Sequence, residues 1–399
     1  MLLNCHTYYS FGYGTLSIEE LFNEVKSKGY NTFVLSDINN TSAILESLRQ
    51  SKNHRLKVIP GIDFRNGVEQ LYIGIAQNNE GFKELNKHLT HHLHNNIPFE
   101  KQAPGFNHAY VVYPLSNFKG QVLKENEFIG VSAKDLPSLP FSSAKNHYHK
   151  LVILQTGSFI TKKHFNAHRL LRAIDKNTLL SKLPISEQAD ANHVIHDLKY
   201  ILSAFSSYPN ALLNTTQILN VCHVEYEFGK MSNKNLKHYT TSVKEDIQLL
   251  RNESLKGLKY RYPNPKPEIL ERVEKELHII EKMNFASYFL INWDIIKYAQ
   301  HKNYYYVGRG SGANSMIAYL LRITDVDPIE LDLYFERFIN ENRSNPPDFD
   351  IDFSWTDRDD ITRYIFERFG PERTALLATY ATYKDDAVIR ELGKVFGLP

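Results

Sequence analysis

Residues Asp348-Phe349-Asp350-Ile351-Asp352-Phe353 set three carboxylates at alternate positions among bulky apolar side chains, directly after Pro346-Pro347. In a β-strand successive side chains point to opposite faces, so Asp350 and Asp352 project together while Phe349, Ile351 and Phe353 pack behind them. Two like charges on one face repel. A hard divalent cation between them removes that cost, and Mg²⁺ needs few protein ligands when phosphate oxygens supply the rest. The plainer alternative is an edge strand with a solvated polar face. Asp357, Asp359 and Asp360 follow in a run that reads as a helix start, where carboxylates are expected anyway. Asp350 and Asp352 remain as the candidate metal pair.

Upstream, the aromatic run Tyr304-Tyr305-Tyr306 leads into Gly308-Arg309-Gly310-Ser311-Gly312 and then a helix-compatible stretch, 313–321. A glycine-rich turn between strand and helix lets backbone amides approach a phosphate, and the helix end adds partial positive charge. Arg309 adds a full charge and a bidentate fork. Tight turns also carry Gly-x-Gly for conformational reasons alone, and the Gly-x-x-x-x-Gly-Lys pattern of a P-loop is absent. The tyrosines suit either base stacking or, more simply, a buried strand. Asp327-Pro328-Ile329-Glu330 is a helix-start signal. In Phe335-Glu336-Arg337-Phe338, and at Arg343, cations precede the aspartate strand, either to meet phosphates or to pair with the aspartates. His88, His91, His92 and His94 have helical spacings that suit zinc, although a solvated helix face is the simpler reading.

These groups need elements to hold them. The chain has 399 residues, 42% hydrophobic, enough for two or three domains. A net charge of +2 gives no global basic field, so nucleic-acid binding would need local clustering. Two cysteines, Cys5 and Cys222, exclude a disulfide framework and suit a reducing compartment. No apolar run approaches a membrane span, and no basic-then-apolar leader is present, so no membrane association is expected and a cytoplasmic location is. The first half alternates short strands and helices: a helix at 17–28 stopped by Gly29, strands at 32–35, 57–59, 71–76, 109–114 and 151–155, and helices at 41–50 and 165–174. Asp37 and Asp63 fall at strand ends, where α/β folds collect ligands. Beyond the break at 262–267, a scaffold helix carries Leu270, Val273, Leu277 and Ile280 on its apolar stripe.

The order of aromatic strand, Gly308-Arg309-Gly310-Ser311 turn, Ile323-Thr324-Asp325-Val326-Asp327-Pro328, Phe335-Glu336-Arg337-Phe338, aspartate strand and Ala387-Val388-Ile389-Arg390-Glu391-Leu392-Gly393 resembles the palm region of the bacterial DNA polymerase III alpha subunits, the C-family replicative DNA polymerases. The resemblance implies a template-directed DNA polymerase. Asp350 and Asp352 match two of the family's three metal-binding catalytic aspartates, which hold two Mg²⁺ ions. Gly310 and Ser311 match the turn that meets the incoming nucleotide's phosphates, with Arg309, Arg337 and Arg390 as charge partners. The family continues that turn with Ala-Ala-Gly-Ser, where this chain has Gly312-Ala313-Asn314-Ser315. The third aspartate, the thumb and the fingers are expected beyond residue 399, so the chain reads as an N-terminal fragment, inactive alone.

Residues 1–205 resemble the polymerase-and-histidinol-phosphatase (PHP) domain that precedes this palm. The implied fold class is α/β: a PHP-type distorted (β/α) barrel, a helical connector at 206–285, and a partial C-family, nucleotidyltransferase-like palm at 286–399. The family's metal ligands are thinned here. His-x-His-Thr is Asn4-Cys5-His6-Thr7, Asp-His is Asp37-Ile38, Gly-x-Glu is Gly61-Ile62-Asp63, and Asp-x-His is missing from 155–160, while Asn166-Ala167-His168-Arg169 still fits. His6, Asp37 and Asp63 are too few for a trinuclear centre, so no PHP metal is expected. Implied partners are primer-template DNA, deoxynucleoside triphosphates, a sliding clamp and a proofreading exonuclease. The alternatives are a non-catalytic PHP scaffold docking that exonuclease, or a PHP metallophosphoesterase.

Overall fold

The computed structural model describes residues 1–229, 236–340, 348–377 and 379–398. They fall into two compact units, 1–231 with 381–399, and 232–380.

In the first unit, strands β1 (Leu2–Cys5), β2 (Thr32–Leu35), β3 (Lys57–Asn66), β4 (Glu69–Ala76), β5 (Ala109–Pro114), β6 (Glu127–Val131), β7 (Leu151–Ile153) and β8 (Thr156–Gly157) form one sheet, ordered β7-β6-β5-β4-β3-β2-β1-β8. β4 runs antiparallel to both neighbours and the other pairs are parallel. β7 and β8 occupy opposite edges, yet only Leu154 and Gln155 separate them. Three peptide links reach roughly 11 Å at most. The sheet must therefore curl until its edges nearly meet, as the expected distorted barrel requires.

Helices α1 (Ile18–Ser27), α2 (Ile44–His54), α3 (Asn79–Asn95), α4 (Lys162–Asp175), α5 (Leu198–Ala204) and α6 (Pro209–Val221) accompany the strands. α1 forms where its spacing predicts: Ser17 and Glu20 make a reciprocal capping box, and Ile18, Leu21, Phe22 and Val25 bury against Phe33 and Leu35. α2 starts three residues later than expected because the Asn40 side chain takes the Ser42 amide in a turn. β3 does not end at Ile59 but continues through Pro60 and Gly61 to Asn66. Asp63 therefore sits inside a strand, two residues from Arg65.

The second unit contains α7 (Val243–Arg261), α8 (Pro267–Lys282), α9 (Ala286–His301), β9 (Tyr306–Arg309), α10 (Met316–Leu320), β10 (Asp350–Phe353) and α11 (Arg358–Phe369). Its core joins Leu250 and Leu258 of α7, Val273, Leu277 and Ile280 of α8, Phe289 and Leu290 of α9, α10, and Phe335 and Phe338. The buried stripe of α8 begins at Ile269, whereas Leu270 is exposed. The C-terminal helix α12 (Asp386–Phe396) belongs to the first unit, where Val395 packs with Ala173 and Leu183.

Candidate functional site

β9 and β10 pair antiparallel, with Arg309 opposite Asp350, Gly308 opposite Ile351, Val307 opposite Asp352 and Tyr306 opposite Phe353. Alternation then does what the spacing predicts. Asp350 and Asp352 face solvent, while Ile351 and Phe353 turn onto the core. Arg309 projects from the same ribbon face and bridges them: its Nε is 2.7 Å from Asp352 Oδ2 and its Nη1 3.7 Å from Asp350 Oδ2. Among the described residues, no other cation pairs with either aspartate. The donor set fits a hard divalent cation, since two exposed carboxylates share one face and their present partner is a solvent-exposed, salt-screened guanidinium. The buried-strand reading of the tyrosine run needs correction. β9 begins only at Tyr306, and Tyr305, just ahead of it, is 88% exposed.

The turn is shaped around the aspartates. Gly310 has φ +72°, a conformation that favours glycine, and a Cβ there would lie 2.5 Å from Asp350 Oδ2, the end of an exposed side chain that would have to turn away. A Cβ on Gly308 would meet the Ile323 carbonyl oxygen at 1.9 Å. Thr324 Oγ1 donates to the Gly308 carbonyl at 2.9 Å, which ties the Ile323-Thr324 segment behind β9. Residues 310–314 form a 3₁₀ turn before α10 begins under a Ser315 cap.

The α10 N-terminus already has its anion. Glu276, fully buried on α8, accepts from Ser315 Oγ (2.9 Å), the Met316 amide (3.0 Å) and the Ile317 amide (3.2 Å). Arg272 completes the group with a 2.6 Å contact to Glu276, and its Nη2 also donates to the carbonyls of Asn314 and Leu333. Burial raises the Glu276 carboxyl against the pull of Arg272 and the amides. A helix end filled this way offers nothing to a phosphate. Glu276 escapes sequence reasoning as a functional residue, although its place on the apolar stripe, three residues after Val273, signals a buried carboxylate in need of donors.

Phe335 and Phe338 are both fully buried. The 3₁₀ turn between them therefore presents Glu336, paired with Lys275 at 2.6 Å, and Arg337 to solvent, beside the 310–314 turn. Among the described residues Arg337 has no ion-pair partner. Arg343, Pro346 and Pro347 lie outside the described residues. Arg390 is on α12 in the first unit and pairs with Glu391 on its own helix. Asp357 and Asp359 sit at the start of α11 as expected, and Asp360 accepts from Tyr298 and Tyr304. Asp327 caps a turn through the Ile329 and Glu330 amides, but no helix follows, and Asp332 adopts φ +48°.

In the first unit His6 and Asp63 come together, with Nε2 3.1 Å from Asp63 Oδ2. The same oxygen accepts from Arg65 Nη2 (2.6 Å), Arg65 Nε (3.1 Å) and Gln70 Nε2 (2.8 Å). Burial alone would raise the Asp63 carboxyl, but the Arg65 guanidinium and the His6 hydrogen bond hold it well below the ordinary carboxylate range. Asp37 is bound instead by Thr7 and Ser10, and burial raises its carboxyl. His6 Nδ1 meets Ser158 at 2.8 Å. His168 is held by the Tyr13 carbonyl and the Ala189 amide and, lowered to about 4 by burial, is neutral at physiological pH. Arg65 already answers the Asp63 charge and Asp37 is held by Thr7 and Ser10, so this donor set does not fit a metal cluster. Arg65 was legible only through period two: once Asp63 is inside a strand, residue 65 shares its face.

The histidine run also differs from a solvated face. His91 and His94 are exposed, but His92 is 3% exposed and His88 half-buried, because Phe99 returns to stack on His92 with ring centroids 4.6 Å apart.

Comparison with known proteins gives two family matches. Residues 248–399 match the bacterial DNA polymerase III alpha NTPase domain and residues 3–123 match the PHP domain. The whole chain is similar to the DNA polymerase III subunit alpha of Streptococcus pyogenes serotype M3, at 29% identity across 38% of that protein. It is also similar to that of Vibrio cholerae serotype O1, at 28% identity across 38% of its length. An error-prone DNA polymerase of Saccharophagus degradans is 29% identical over 98% of this chain and 40% of its own. The chain thus spans about two fifths of the length of these relatives.

Proposed function

Proceeding from these similarities, we propose that the chain is the N-terminal portion of a template-directed DNA polymerase, in which Asp350 and Asp352 hold catalytic Mg²⁺. The observation that carries this reading is the exposed pair of carboxylates on one face of β10, next to a glycine turn shaped around Asp350. Mg²⁺ bound there would lower the pKa of a primer 3′-hydroxyl and neutralise charge on the departing pyrophosphate. The chain's own residues do the positioning. β9 fixes the register of β10, Phe349 anchors it through its amide to Tyr288 Oη at 2.9 Å, and Glu276 with Arg272 fixes the turn. Gly310 and Ser311 present backbone to the triphosphate of a deoxynucleotide. Arg309, released from the aspartates when cations enter, and Arg337 supply positive charge to its phosphates. Substrates on this reading are primer-template DNA and deoxynucleoside triphosphates, with a sliding clamp as partner and the cytoplasm as location. Among the described residues, no helix is long and apolar enough to cross a membrane. In the complete protein, Asp350→Asn or Asp352→Asn should lower nucleotide incorporation by roughly 10³-fold or more; near-normal primer extension by either variant sinks the assignment.

A second role is favoured by Arg65. With its buried Asp63 carboxylate answered by an internal cation, the PHP-like unit serves better as a scaffold for a proofreading exonuclease than as a phosphoesterase. Retention of such an exonuclease by the immobilised protein tests this, and failure to retain it counts against the role.

A further inference from the structure

Away from both sites, α3 carries His88 and His92 one helical turn apart, with ring centroids 4.5 Å apart. The chain leaves α3 through Asn96 in the left-handed conformation, φ 54°, and doubles back along the helix. That return brings Glu100 Oε2 to 3.4 Å from His92 Nε2. One donor atom from each of His88, His92 and Glu100 lies within 4.8 Å of the other two. His92 Nδ1 sits 3.2 and 3.1 Å from the carbonyl oxygens of Ile97 and Pro98. Only a protonated Nδ1 satisfies those acceptors, so Nε2, which faces the carboxylate, is the nitrogen left to meet a metal. Tyr72 Oη, 2.8 Å from His88 Nε2, fixes the second ring. Outer hydrogen bonds of this kind orient imidazole ligands in metal sites. Phe64, Phe99 and Phe106 wall the rings on the protein side, while the Glu100 side chain is 62% exposed.

We propose that His88, His92 and Glu100 bind a single zinc-class divalent ion, completed by solvent, which clasps the 96–100 return to the end of α3. Two imidazoles and a carboxylate suit Zn²⁺ and leave a fourth position for water. Bond lengths of about 2.0–2.2 Å place tetrahedral donors roughly 3.4 Å apart, the separation that Glu100 and His92 already have. Movement of the exposed Glu100 side chain and a small rotation of His88 close the rest. The cluster is distinct from the His6–Asp63–Arg65 group, since its neighbour on β3 is Phe64 rather than Asp63 or Arg65.

The full chain titrated with Zn²⁺ in a calorimeter, and with Co²⁺ followed by visible absorption, should bind one equivalent, with Mg²⁺ giving no signal at this site. Glu100→Gln and His88→Gln should each weaken Zn²⁺ by about tenfold or more, while His91→Ala and His94→Ala leave affinity unchanged. Circular dichroism checks each fold, and Glu100→Gln, at an exposed position, decides the matter if the histidine variant is damaged. Absence of one-equivalent Zn²⁺ binding, unchanged affinity in Glu100→Gln, or weakening in His91→Ala or His94→Ala overturns the proposal.

Discussion

Replacing Arg65 with Met removes the cation that balances the buried Asp63 carboxylate. The pair is 6% and 0% exposed, with a 2.6 Å contact, so solvent cannot take over the charge. Breaking a buried pair from one side costs about 3–5 kcal/mol. In a unit of about 250 residues, where each kcal/mol moves the midpoint by about 2–4 °C, the first unit's thermal transition should fall by roughly 10 °C at pH 7. The pH dependence should also change sign. In the native protein Asp63 titrates below its unfolded value of about 3.9, so its contribution is present above that pH and is lost as acid approaches the folded value. Without Arg65, burial dominates and the folded pKa rises above the unfolded one. The contribution is then largest below about pH 4 and lost as pH climbs. Thermal melts of both proteins at pH 7 and pH 5 should therefore show the deficit of Arg65→Met shrinking on acidification. Asp63→Asn combined with Arg65→Met should recover most of the loss, since no charge is then left buried. A deficit below about 1 kcal/mol at pH 7, or a deficit that grows on acidification, refutes the view of Arg65 as an internal counter-ion.

Glu276→Ala strips acceptors from Ser315, two α10 amides and Arg272 at once; denaturant titration should show a loss of about 3–5 kcal/mol confined to the second unit's transition. Gly310→Ala must strain a φ of +72° and displace the Asp350 carboxylate. It should cost about 1–3 kcal/mol in the same titration, and in the complete protein it should depress incorporation more than stability, as single-turnover kinetics would reveal. Ser17→Ala removes the α1 capping box and should lower the first unit's stability by about 1 kcal/mol in the same denaturation assay, with no effect on the aspartate site.

Much of both sites lay open in the sequence because β-strand period two is local. Asp350-Ile351-Asp352-Phe353 could only split into a carboxylate face and an apolar face, and the Ser17 cap with its i, i+3, i+4 apolar positions could only make α1. What stayed hidden depended on contacts between segments distant along the chain. Glu276 meets Met316 forty residues away, so nothing near either residue announces that the helix N-terminus expected to greet a phosphate is already filled. Arg65 became the partner of Asp63 only because β3 runs on past Pro60 and Gly61. His92 left the solvated face because Phe99 returned to cover it. Sequence alone therefore determined which residue types stand side by side on each element. The tertiary structure decided which of their charges are answered from within the protein, because burial makes an unpaired charge too costly to leave and its partner can come from anywhere in the chain.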